Sequence, residues 1–220
     1  MFKDRAEAGR ALGRSLAPYA SLRPIVAGLP RGGVPVAAQV AEQLGASLDI
    51  VVVRKIGCPW QPELGIGAIA EGGVRVLNDA LIEDLGIGLK ELELATDRER
   101  AELARRVRRY RGDEAAESVD GRVVILVDDG LATGYTARAA VEAVRRGGAR
   151  RVIFATPVAP LDSVAAMRDV TDDVVVVDTP ASFLAIGDFY SDFSQTSDGE
   201  VVALLERAHR PGLAGPTRIV

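Results

Sequence analysis

The chain of 220 residues contains one cysteine, one histidine and one tryptophan, and aromatic residues make up only 5% of it. A lone cysteine, Cys58, excludes an internal disulfide and suits a reducing cytoplasm. A lone histidine, His209, argues against zinc centres and against Ser-His or Cys-His machinery built on several histidines. No apolar run approaches the roughly 18–20 residues of a membrane helix. The opening Met1-Phe2-Lys3-Asp4-Arg5 stretch lacks the apolar core of a secretion signal. A net charge of −4 gives no overall pull toward nucleic acid. What remains, 48% hydrophobic and 26% charged, suits one globular domain with room for a small subdomain.

The pattern alternates short apolar runs with amphipathic stretches. Residues 4–17 read as a helix with Ala8, Leu12 and Leu16 on one stripe, and residues 33–44 as a second helix closed by Gly45. Apolar runs at 24–29, 48–53, 123–127, 151–156 and 173–177 read as strands. Segments 66–70 and 74–77 flank Glu71-Gly72-Gly73 as a hairpin. Residues 79–111 read as a charged helical insertion, and Ser197-Asp198-Gly199-Glu200 as a capping box opening a last helix. Alternating strands and helices predict an α/β fold, doubly wound around a mainly parallel sheet. Ligands of such sheets bind beyond the C-terminal strand ends.

Residues 123–136 are the most informative stretch. Five apolar residues fit a strand buried on both faces, and Asp128 and Asp129 follow at once. A turn with Gly130 and Gly134 then leads into a helix. A strand, a glycine turn and a helix N-terminus make an anion site from free backbone N–H groups. Carboxylates repel phosphate, so the acid pair beside such a site makes sense if the ligand also carries vicinal hydroxyls, or a metal bridging to them; the bland alternative is an ordinary strand-to-helix turn with a capping Asp. A sugar phosphate fits both the anion site and the acid pair.

A second glycine turn, Gly28-Leu29-Pro30-Arg31-Gly32-Gly33, also joins a strand to a helix and adds a guanidinium, although turns of this composition are common. Arg54 and Lys55 end the next strand, either solvated or aimed at an anion. Residues 56–65 fit no regular element and read as a closing loop. Trp60 within it either stacks on a substrate or anchors packing. Cys58 has no activating base in sight and reads as incidental. Phe183, Phe189, Tyr190 and Phe193 are four of the nine Phe and Tyr residues, a base-stacking surface or a small aromatic core. Five arginines lie within residues 105–111, at a predicted helix end where cations suit the dipole; an interface or RNA site is the alternative.

Asp128-Asp129-Gly130-Leu131-Ala132-Thr133-Gly134-Tyr135-Thr136 resembles the phosphoribosyl-diphosphate motif of the type I phosphoribosyltransferases. Gly130 stands where that family usually has a branched apolar residue, and Tyr135 where it usually has a small one. The opening Phe2-Lys3-Asp4-Arg5, the Gly28–Gly33 loop and the Asp188-Phe189-Tyr190-Ser191-Asp192-Phe193 segment resemble a bacterial branch of it that brings no substrate with it. The resemblance implies the family fold, with a hood over about 178–210, and a magnesium-dependent transfer of phosphoribose to a nitrogenous acceptor, a nucleobase by preference. It implies that Asp128 and Asp129 hold the ribose hydroxyls and any directly bound Mg2+. It further implies that Gly130, Ala132, Thr133, Gly134, Tyr135 and Thr136 wrap the 5-phosphate, and that Arg31, Gly32, Gly33, Arg54 and Lys55 take the diphosphate. Trp60, Phe189 and Tyr190 become acceptor contacts. Ala132 replaces the acid that 6-oxopurine enzymes carry in the phosphate loop, and the Leu-Ala-Thr-Gly wording is closer to the adenine enzymes. A cytoplasmic homodimer without membrane or nucleic-acid partners is the expected setting. The alternative is a sensor that binds phosphoribosyl diphosphate without turnover, or an RNA-binding regulator.

Overall fold

The computed structural model describes residues 1–112 and 116–209. Helix α1 (Arg5–Leu16) starts where the Asp4 carboxylate accepts from the Glu7 N–H, and it buries Ala8, Leu12 and Leu16. Strand β1 (Ile25–Gly28), helix α2 (Gly33–Leu44) and strand β2 (Ser47–Ile50) follow. Gly45, at φ 58°, closes α2 in the left-handed conformation that glycine tolerates best. The later unit runs through β6 (Val123–Val127), α5 (Tyr135–Arg146), β7 (Arg151–Val158), α6 (Leu161–Arg168) and β8 (Asp173–Asp178). Between the two lie β3 (Val53–Cys58), β4 (Gln61–Ala70), β5 (Val74–Leu77), α3 (Asp79–Asp84) and α4 (Leu89–Arg111). Helix α7 (Asp198–His209) follows them all.

The strands divide into a five-stranded sheet in the order β2-β1-β6-β7-β8 and an antiparallel sheet in the order β3-β4-β5. Every pairing in the larger sheet is parallel. Its strand β6 is fully buried because both faces are covered. Val123, Ile125 and Val127 join an apolar layer with residues of α1, α2, α4 and α7; Val124 and Leu126 join a second with residues of α5 and α6. This is the doubly wound α/β arrangement expected from the sequence.

One strand boundary differs from expectation. The apolar run 48–53 is continuous in sequence, yet it serves two sheets. β2 ends at Ile50, and Val53 opens β3. At the junction the Val51 N–H donates to Gly28 O and the Val52 N–H to a Glu71 carboxylate oxygen. Hydrophobicity reports burial and is blind to a change of partner. Residues 56–65 are likewise not an irregular loop. They are the turn and arms of the β3–β4 hairpin, which tolerates its glycines and prolines through register shifts near Gly57.

Phe154 on β7 is fully buried in the second layer, with residues of α5 and α6. Phe154→Ala is expected to cost about 3–5 kcal/mol, a large share of the roughly 5–15 kcal/mol of a typical domain. A lowered urea midpoint at unchanged m-value is the expected result; an unchanged midpoint contradicts the packing described.

Candidate active site

The site is made by two strand ends lying side by side. β1 and β6 pair with Gly28 opposite Val127, and the Leu29 N–H extends the ladder by donating to Val127 O at 2.8 Å. The two chains then turn, one into α2 and the other into α5. In the order 2-1-3-4-5 of the parallel strands, this is the point from which connections run in opposite directions, where such sheets bind ligands.

The turns touch because one of them carries no side chain at Gly32 and Gly33. A Cβ on Gly33 would lie 2.5 Å from Val127 O and 2.9 Å from Asp128 Cα, and one on Gly32 would overlap the Asp129 carboxylate. These glycines therefore admit the acid pair, a role beyond the anion cradle read from sequence. Gly130 is equally constrained, since a Cβ there would run into the Ile186 side chain. A branched residue at 130 would displace the segment over the site. The Pro30–Arg31 peptide is cis.

The turn 131–134 leads to α5 through Gly134, at φ 77°. Leu131 is buried and its N–H donates to Val158 O at 3.0 Å; Ser163 Oγ donates to Ala132 O at 2.5 Å. Ala132 and Thr133 are exposed, while Gly134, Tyr135 and Thr136 are partly so. The first N–H groups of α5 have no partner within the helix, a feature that suits negative charge.

Asp128 and Asp129 take different partners. The Asp129 N–H donates to Asp128 Oδ1 at 2.9 Å. Asp129 Oδ2 accepts from Arg5 Nε at 2.7 Å, and the Asp129 carbonyl accepts from Tyr190 Oη at 2.6 Å. Burial, reinforced by the neighbouring Asp129 charge and opposed by Lys55, holds Asp128 well above the usual carboxylate range. Burial also raises Asp129, with the Arg5 guanidinium working against it. Like charges brought together with one cation on one of them resist full ionisation of both.

The cations read from sequence separate. Lys55 is exposed and its charge is felt at Asp128. Arg54, the preceding residue of β3, points elsewhere by strand alternation and pairs with Glu99 of α4 at 2.7 Å. Arg31 lies 3.8 Å from Asp198, which also accepts from Tyr110 Oη at 2.7 Å and pairs with Arg109 at 3.0 Å. Burial and that hydrogen bond push Tyr110 up to about 12. Trp60 stands 56% exposed at the hairpin turn, with no contact tying it to the acids.

The aromatic cluster divides too. Phe183 and Phe189 stack at 5.4 Å. Tyr190 is buried between Phe2 and Phe193, at 5.7 and 5.0 Å, with its hydroxyl committed to Asp129 O. No ring face of Tyr190 is open for an acceptor, because the hydroxyl and both neighbours enclose it. The arginine-rich end of α4 is largely neutralised. Arg105 and Arg106 pair with Glu102, Arg109 with Asp198, and Arg111 with Asp49 and Glu71. Arg5, Asp198 and Ile186 escaped the sequence reading. They lie far along the chain from the motifs they touch, and no spacing rule links them.

Among the described residues no three metal-ligating side chains converge. Asp128 and Asp129 nevertheless offer hard oxygen donors of the kind that, with substrate phosphates, hold Mg2+. No helix of the described residues is long and apolar enough to cross a membrane.

A doubly wound sheet with two glycine turns and an acid pair at its switch point places the chain among the α/β proteins that carry their site beyond the C-terminal strand ends. The family model for the phosphoribosyl transferase domain matches residues 6–194, and the chain belongs to that family. It is 48% identical over 210 residues to two Mycobacterium tuberculosis proteins bearing the name "Putative phosphoribosyl transferase", from strains CDC 1551 / Oshkosh and ATCC 25618 / H37Rv. The match covers 96% of this chain and 47% of each relative, so the chain spans about half the length of these curated relatives. The crystal structure of the protein TT1426 from Thermus thermophilus superposes with a TM-score of 0.80 at 42% identity, covering 94% of this chain and 98% of that one.

Asp128→Asn tests the electrostatics. A carboxyl whose pKa is raised on folding stabilises below its unfolded value, near 3.8, and that contribution is lost as pH rises through the folded value. At pH 8 the variant is therefore expected to melt roughly 2–4 °C above the parent, on the order of 1 kcal/mol, with the gap closing toward pH 4. A gap that is constant with pH, or negative at pH 8, contradicts the assignment.

Proposed function

We propose that this chain is a phosphoribosyltransferase that uses phosphoribosyl diphosphate and Mg2+, moving phosphoribose to a nitrogenous acceptor. The C1–oxygen bond to diphosphate breaks, a C1–nitrogen bond forms, and diphosphate leaves. The observation that carries the reading is the acid pair set between two glycine turns at the switch point, one turn closing on a helix N-terminus. A phosphate suits that terminus, while the carboxylates beside it suit hydroxyls.

In this reading residues 130–136 take the 5-phosphate, and Asp128 and Asp129 orient the ribose and favour positive charge developing on the ring. Transfer at a sugar C1 passes through an oxocarbenium-like state, so the protein contributes position and charge rather than a nucleophile. Lys55 and Arg31 meet the departing diphosphate. Arg31 must exchange Asp198 for it, whereas Lys55 is exposed and its charge is felt at Asp128. Arg54 is assigned to Glu99 and leaves this role. Bound Mg2+ would supply charge to the leaving diphosphate, with Asp128 and Asp129 as its protein oxygens. A planar acceptor base is expected, with Phe189 among its contacts; Tyr190 supports Asp129 instead. A cytoplasmic homodimer belongs to the same proposal.

The RNA-binding alternative loses its main support, because four of the five arginines at 105–111 are paired with carboxylates. A non-catalytic sensor is separated from an enzyme by turnover. Release of diphosphate from Mg-phosphoribosyl diphosphate in a screen of nucleobases, above a metal-only control, is expected; binding without release favours the sensor. Charged hydrogen bonds are worth roughly 1.5–3 kcal/mol, so Lys55→Ala is expected to weaken phosphoribosyl diphosphate and inorganic diphosphate about ten-fold in calorimetry. Ribose 5-phosphate binding should survive. Equal loss for all three ligands would reduce Lys55 to a contributor of overall charge.

A further inference from the structure

We propose that Arg5 is the positioning residue of Asp129, delivered by a clasp between residues 2–5 and 189–194. The proposal rests on the reading of the acid pair as the ribose site. Arg5 and Asp129 stand 124 positions apart, yet the ion pair is short and enclosed, with side-chain exposures of 12% and 11%.

The clasp is built from backbone. The Phe2 N–H donates to Phe189 O at 2.7 Å, the Ser191 N–H to Phe2 O at 2.8 Å, and the Asp192 N–H to Lys3 O at 2.9 Å. Phe2 and Tyr190 form a parallel bridge, and Phe2, Tyr190 and Phe193 pack as a row of rings. Both strands of this clasp then reach the same aspartate. From one comes Arg5, from the other the Tyr190 hydroxyl on the Asp129 carbonyl.

Arg5 is held on three sides. Its Nε meets Asp129, its Nη1 donates to Ser194 O at 2.7 Å, and its guanidinium carbon lies 4.0 Å from the centre of the Phe193 ring. A guanidinium fixed in this way is pre-organised, unlike a mobile side chain resting in a vacant cleft. Two further acids, Asp192 and Glu200, feel its charge, but each is occupied locally: Asp192 accepts from the Ser194 N–H at 2.9 Å and Glu200 from the Ser197 N–H at 2.7 Å. Asp128 feels the charge of Lys55 instead. Asp129 is thereby set between the bare backbone of Gly32 and a fixed cation that engages one oxygen, Oδ2. That geometry commits Oδ2 and leaves Oδ1 as the oxygen a hydroxyl ligand would meet. It also gives the two segments, Phe2-Lys3-Asp4-Arg5 and Phe189-Tyr190-Ser191-Asp192-Phe193, a shared purpose that the phosphate and diphosphate loops leave unassigned.

The test is calorimetric titration of the full chain with three probes: Mg-phosphoribosyl diphosphate, ribose 5-phosphate and inorganic diphosphate. Arg5→Ala should weaken the two ribose-bearing probes about ten-fold or more and leave inorganic diphosphate within about two-fold, a pattern general destabilisation does not produce. Arg5→Lys should recover part of the loss, and it decides the matter if Arg5→Ala fails to fold. Unchanged ribose affinity in both variants overturns the proposal, as does equal loss for all three probes. Tighter ribose binding by Arg5→Ala also overturns it, showing Arg5 to be a plug. If the parent chain binds neither ribose-bearing probe, the ribose-site reading itself fails, and that failure is visible before any variant is made.

Discussion

Everything at the site depends on how closely two turns can approach. The parallel register brings Gly28 level with Val127, and the next residues on each side have to share the space beyond. They can do so because Gly32 and Gly33 present backbone alone to Asp128 and Asp129. A Cβ at Gly33 would press on the backbone at the end of β6, and one at Gly32 would displace the Asp129 carboxylate. Strand pairing, glycine placement and acid position are one constraint expressed three times.

That constraint creates an electrostatic problem which the surroundings solve only in part. Two adjacent carboxylates sit at a protein-lined strand end, where burial disfavours charge on both and the Asp129 charge raises Asp128 further. Arg5 answers one of them directly and Lys55 reaches the other through space. The pair is left less ionised than free aspartates would be, which is a cost to the folded state in the absence of a ligand. Sites built to bind are commonly less stable than their surroundings allow, because the groups that would satisfy the ligand are unsatisfied without it. A hydroxyl-bearing, cation-associated ligand would relieve both deficits.

Much of this was legible in the sequence because it was local. Ala8, Leu12 and Leu16 gave α1 through spacing, Gly45 gave the end of α2, and Ser197 with Glu200 gave the start of α7 through a reciprocal cap. The acid motif was readable because strand, turn and helix start are consecutive residues. The illegible parts were those decided by partners. Val51 and Val52 look like mid-strand residues, and only a second sheet to pair with makes them a junction. Arg54 and Lys55 look equivalent, and only the alternation of β3 sends one to Glu99 and leaves the other beside Asp128. Tyr190 looks like a stacking ring, and its burial against Phe2 turns it into a support for Asp129.

The arginine-rich end of α4 shows the same logic on a larger scale. As a string, residues 105–111 look like a surface for polyanions. In the fold, Arg111 is nearly buried, donating to Ile50 O at 2.6 Å while pairing with Asp49 and Glu71. It therefore fastens the end of α4 to β2 at the point where the parallel sheet gives way to the antiparallel one. Arg109 meets Asp198, and Asp198 meets Arg31 of the turn after β1. The basic run thus belongs to the framework, and its last contacts run through a single carboxylate into the site. Any ligand that draws Arg31 inward must compete with Asp198, whose remaining partners, Tyr110 and Arg109, are both on α4. The position of Arg31 and the seating of α4 against α7 are in this way coupled through one aspartate, although neither motif in the sequence refers to the other.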